Sequence, residues 1–119
     1  MIPLVLSLVF FALAAIMNAV MDTLQFHFER SIFKGKDPNF WNPNISWNFA
    51  RIIPYTGYKV DGWHLSKSMM IIFCALSATV LLKGVDPSSP WWGYLLIFTV
   101  YGIVWNMVFN LFFDRLLLK

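Results

Sequence analysis

Asp22, His27, Asp61 and His64 are the side chains of this sequence best suited to do chemistry. Two imidazoles with two carboxylates make a donor set that fits Zn²⁺ or Fe²⁺. A water bound to such an ion is a nucleophile at neutral pH, able to attack an ester or phosphoester. Asp61 and His64 stand three residues apart in "DGWHLSK", close enough to open one helix together. Plainer roles compete with this. Asp61 fits a helix N-cap that accepts from the backbone N–H of Trp63 or His64. A helix N-terminus disfavours an imidazolium, so His64 is held neutral, the form that binds metal or accepts a proton. His27 follows Asp22 by five residues, which on an unbroken helix do not share a face, and it reads equally well as a histidine at the membrane interface.

A second set of polar residues repeats at helical spacing. Asn18 and Asp22 are four apart, with Gln25 and Glu29 continuing the stripe, and Asn106, Asn110 and Asp114 repeat the interval later in the chain. Polar groups inside an apolar helix usually face a bundle interior or a wet cavity rather than lipid. Asn18, Asn106, Asn110 and Asp114 are therefore expected to form a polar cluster at the depth of Asp61 and His64. The modest alternative is that the asparagines tie helices together, at about 0.6 to 2 kcal/mol per hydrogen bond.

The elements that must carry these residues follow from composition. The chain has 119 residues, of which 59% are apolar and 13% charged, against about 25% charged in a soluble domain. One domain fits in this length, and its covering must come from lipid. Three stretches approach the roughly 20 apolar residues needed to span hydrocarbon: about 2–21, 66–82 and 91–113. The expectation is an all-α integral membrane three-helix bundle, its first helix continuing beyond the bilayer to stop near Gly35. The first span lacks Lys or Arg ahead of it and exceeds the length of a signal core, so it is read as retained. Pro90 followed by Trp91, Trp92 and Tyr94 marks an interfacial helix start.

Charge gives the direction. Lys83 alone lies on one side, while Arg30, Lys34, Lys36, Arg51, Lys59, Lys67, Arg115 and Lys119 lie on the other. By the positive-inside rule, residues 22–65 and the C-terminus face the cytoplasm and the N-terminus lies outside. A net charge of +3, dispersed along the chain, gives no basic face for nucleic acid. The single Cys74 excludes an intrachain disulfide and reads as packing within a span.

Loop 22–65 is too aromatic to be a linker. "DPNFWNPN" reads as turn-rich, and "ISWNFARII", closed by Pro54, reads as a short interfacial helix. Trp47, Phe49, Tyr55 and Tyr58 are among the rings expected to bury against the membrane. Lys67 and Arg115 are expected to reach lipid headgroups. Arg30, Lys34 and Lys36 are fewer cations than specific lipid recognition usually takes, and they read as a solvated helix end. The chain has neither a glycine-rich phosphate loop nor a nucleophile elbow.

Together, "MDTLQFHFE", "FWNPNISW" and "DGWHLSK" resemble segments of an uncharacterised family of small prokaryotic integral membrane proteins, over roughly residues 17–70. The resemblance implies a prokaryotic inner-membrane protein and brings no activity with it. Three functional classes remain open: a polar, metal-binding site at the cytoplasmic leaflet that acts on lipid; a non-catalytic subunit or scaffold, self-associated or within a larger membrane complex; and an oligomeric pore or carrier lined by Asn106 and Asn110.

Overall fold

The computed structural model describes residues 2–49, 51, 52 and 59–118. Three helices are long and apolar enough to cross a membrane: α1 (Ile2–Phe26), α4 (Gly62–Gly84) and α5 (Trp91–Leu111), the last continued by a π-helical turn over Phe112–Leu116. Between α1 and α4 come a 3₁₀ turn (Phe28–Arg30), α2 (Pro38–Trp41), α3 (Pro43–Phe49), and strands β1 (Arg51–Ile52) and β2 (Lys59–Val60). The two strands pair antiparallel, Arg51 opposite Val60 and Ile52 opposite Lys59, a small ribbon in an otherwise helical chain. Pro54, Tyr55, Tyr58 and Lys119 lie outside the described residues, as do the side chains of Trp47 and Phe49.

Small residues set the helix packing. α1 buries Ser7, Ala14, Ala15 and Ala19, and α4 runs antiparallel against it. Lipid gives no hydrophobic drive for helices to associate, so close approach and interhelical hydrogen bonds must supply it. Both are present. A Cβ on Gly84 would stand 2.8 Å from the Cβ of Pro3. The Ser7 hydroxyl donates to the Ser77 carbonyl at 2.7 Å, the Ser77 hydroxyl donates to the Ser7 carbonyl at 2.8 Å, and the Tyr101 phenol donates to Ser7 Oγ at 2.6 Å. All three spans meet there. α5 packs on α1 rather than on α4, with Phe11 between Tyr101 and Trp105 at ring separations of 5.0 Å each.

The loop side is held differently. α1 stops at Phe26 instead of running to Gly35, and the chain breaks at His27 into the 3₁₀ turn. The reason is burial: a continued helix would carry Phe28 and Phe33 out into solvent. The break instead folds them into a core with Ala19, Val20, Leu24 and Leu117. Ser31 fixes the turn, donating from its hydroxyl to the Phe28 carbonyl at 2.8 Å and accepting from the Phe33 N–H at 3.2 Å. The Ile32 N–H then donates to the Leu117 carbonyl at 3.0 Å, which closes the end of α5 onto this segment.

The turn-rich stretch holds two short helices started by the same device. Asp37 accepts from the Asn39 N–H at 3.0 Å with Pro38 next in line, and Asn42 accepts from the Asn44 N–H at 3.1 Å with Pro43 next in line. An Asx cap followed by proline suits a helix start, because the proline lacks the N–H that would otherwise go unpaired.

The Ser7–Ser77–Tyr101 junction is the testable element here. Y101F should cost about 0.6 kcal/mol, and S7A, which loses more than one bond, up to about 2 kcal/mol. Reversible unfolding in mixed micelles would measure both, and S7A no less stable than wild type would contradict the junction's role.

Candidate functional site

α4 begins at the site. Asp61 has extended backbone and caps the helix, its Oδ1 accepting from the His64 N–H at 2.7 Å. The same oxygen lies 2.8 Å from His64 Nδ1, and Oδ2 accepts from the Ser46 hydroxyl at 2.7 Å. Asp61 is 1% exposed, so its charge has been taken from water and given these donors in exchange. The neighbouring Gly62 is required sterically, since a Cβ there would stand 2.9 Å from Trp41 Cε3 and 3.2 Å from the Phe40 carbonyl oxygen. α2 therefore lies directly over the start of α4, and Ser46 of α3 is bound to its cap.

Opposing effects act on the Asp61 carboxyl. Burial pushes its pKa up, but the His64 backbone N–H, the Ser46 hydroxyl and the His64 ring together outweigh burial and hold it below the ordinary carboxylate value. Asp61 is thus ionised at neutral pH and accepts only, so the ring nitrogen facing it must be Nδ1–H. That fixes the neutral tautomer, with the lone pair on Nε2. The His64 side chain is 32% exposed, against 1% for the carboxylate that orients it.

The other expected site residues are placed as follows. The pairing of Ser7 with Ser77 and of Pro3 with Gly84 sets an antiparallel register that brings Asp22 to the depth of residues 62–65. Asp22 and Asn18 are half-buried. His27 stacks on Phe113 at 4.5 Å, and its Nδ1 is buried with no hydrogen-bond partner. Thr23 Oγ1, one helical turn back, is likewise buried and unpartnered. Among the described residues, no three His, Cys, Asp or Glu side chains come together as a metal site, so of Asp22, His27, Asp61 and His64 only the last two are joined.

The α5 stripe is exposed along the helix. Asn106 donates back to the Gly102 carbonyl of its own helix at 2.9 Å. Asn110, Asp114 and Arg115 line an open groove of about 610 Å³ together with Met107 and Leu111. Lys67 is exposed, its Nζ 5.4 Å from the centre of the Trp63 ring, in cation–π contact.

Ser46 was missed by sequence reasoning, and it had no local signal, because its partner is 15 residues away across two elements. Ser7, Ser77 and Tyr101 were also missed. Two serines in otherwise apolar spans are a weak flag for an interhelical bond, and nothing in the sequence says that they meet. No protein-family model, curated protein or solved structure matches the chain, so function must be argued from this geometry.

A pH dependence follows from Asp61. Because its folded-state pKa is depressed, its contribution to stability is fully present above the ordinary carboxylate pKa and is lost as pH falls through the lowered folded value. Thermal unfolding in detergent, scanned from neutral pH downward, should show wild-type stability declining in that acidic window. D61N should start lower and show a flatter decline, and equal slopes for the two proteins would refute this account.

Proposed function

We propose that this is an integral protein of the prokaryotic cytoplasmic membrane, with its N-terminus outside and the loop and C-terminus inside, that acts on a lipid-borne ester or phosphoester at the inner leaflet. His64 is the proton acceptor and Asp61 the residue that positions it. One observation carries the reading: a buried carboxylate that receives Nδ1–H of a part-exposed imidazole at 2.8 Å, at the entry of a membrane span. This is the arrangement by which general-base histidines are held in one tautomer. In the reaction, a water gives its proton to the imidazole as its oxygen bonds to the carbonyl carbon or phosphorus. The imidazole returns a proton to the alcohol that leaves. Positioned proton transfer of this kind contributes about 10²- to 10⁴-fold.

The reading rests on proton transfer rather than on Zn²⁺ or Fe²⁺, because the donors held together are one imidazole and one carboxylate. Lys67, on the first turns of α4, and Arg115, at the end of the third span, serve as headgroup contacts. The test is mass-spectrometric analysis of lipid products from proteoliposomes made with a prokaryotic lipid extract. H64Q and D61N should each lose about 10²-fold or more of turnover while keeping wild-type helical content. No turnover by wild type, or turnover unchanged in H64Q, would remove the proposal.

A second reading, that of a subunit in a self-associated or larger membrane complex, is favoured by the third span. α5 has no buried residue, and Phe98 is 79% and Met107 67% exposed. In a C74S background, M107C should then form disulfide-linked dimers in native membranes on mild oxidation. Monomer alone at every oxidant level would count against self-association through the Met107 side of α5.

A further inference from the structure

A small polar pocket of about 170 Å³ opens where α1 gives way to the 3₁₀ turn, lined by Gln25, His27, Glu29, Arg30, Asn42 and Asn44. It lies apart from the Asp61–His64 pair, which does not line it. Its location is physically specific. α1 is apolar up to its last turn, so Gln25 to Arg30 occupy the level at which a membrane helix leaves hydrocarbon for headgroups. The volume is many times that of a single bound water, and beside Phe26, Phe28 and the Glu29 carboxylate the lining carries the side-chain donors of Gln25, His27, Arg30, Asn42 and Asn44.

Two of these side chains are left with a donating group to spare. Asn42 spends its side-chain oxygen on the Asn44 N–H, which leaves its amide NH₂ to donate. His27 has Nδ1 buried and unpartnered while its ring is stacked on Phe113. A buried N–H without an acceptor is rarer than a buried lone pair, so the ring proton belongs on the other nitrogen, Nε2, and His27 is a donor too. Charge completes the pattern. Glu29 is engaged by Lys34 at 3.3 Å, whereas Arg30 makes no ion pair among the described residues. The pocket therefore holds a guanidinium that is not paired with the one carboxylate lining it, next to amide and imidazole groups. Planar guanidinium donors match the oxygens of a phosphate.

We infer that this pocket binds a phosphate group, with Arg30 as its anchor and His27 and Asn42 as neutral donors. The source is the phosphodiester of a membrane lipid headgroup or phosphate itself. The inference is independent of any reaction at His64, since the two sites share no residue.

Binding of dioctanoyl phosphatidylglycerol to the full chain in neutral-detergent micelles, measured by isothermal titration, tests it. Dioctanoylglycerol, which has the same chains and no phosphate, is the control ligand. R30Q removes the anchor, and H27F keeps a ring to stack on Phe113 while removing the donor. K36Q removes an exposed cation of the same loop and gauges diffuse attraction. R30Q should weaken binding about tenfold, the scale of one lost charge-assisted hydrogen bond, and H27F by a smaller factor, with K36Q near wild type. Inorganic phosphate added as competitor separates the sources: displacement of the lipid at millimolar phosphate assigns the pocket to free phosphate, and retention assigns it to the headgroup. Equal binding of dioctanoylglycerol, or an R30Q loss no larger than that of K36Q, would overturn the inference.

Discussion

A carboxylate cannot be buried at the edge of a membrane span without donors to replace its water, and this constraint organises the loop side of the molecule. Asp61 resolves it with bonds from the Ser46 hydroxyl, the His64 backbone and the His64 ring. Because the donors belong to α3 and α4, satisfying one charge also fixes the surface helices over the span and sets the angle of the imidazole. Gly62 reinforces the arrangement, its missing side chain being the space that Trp41 occupies. Capping, docking and positioning are thus one event, and protonation of Asp61 would weaken all three together.

The opposite end of the bundle rests on other forces. There serine hydroxyls, alanines and one glycine bring backbones close enough for hydrogen bonds between helices, beside the packed rings of Phe11, Tyr101 and Trp105. The loop end is built from rings: Phe33 stacks on Trp41 at 4.8 Å, Phe109 on Phe113 at 5.1 Å, and His27 on Phe113. What sets the first end apart is its hydroxyl bonds, since within hydrocarbon polar bonds between spans supply what hydrophobic burial cannot.

How much of this could be read in advance depended on how local each cause was. The three spans were legible because length and apolar composition decide them. So was the Asp61 cap, since its partner lies three residues on. The early end of α1 was not, because Gly35 is an ordinary helix stop while the break at His27 answers to Leu117, far along the chain. Four-residue spacing puts Asn106 and Asn110 on one side of α5, with Asp114 on the π-helical turn beyond it, but spacing cannot say which way that side faces. It is exposed, and Asn106 pairs with its own backbone. Ser46 and the Ser7–Ser77–Tyr101 junction were hidden for the same reason: their partners are chosen by the assembled bundle.

The closure of Leu117 over Phe28 and Phe33 also has a consequence in time. Synthesis runs from the first span to the third, so these two rings are made long before the leucine and the carbonyl that cap them. Until α5 has been inserted, the segment after α1 has neither its apolar lid nor the acceptor for the Ile32 amide. A chain that has folded only through its second span therefore lacks part of the core that buries Phe28 and Phe33.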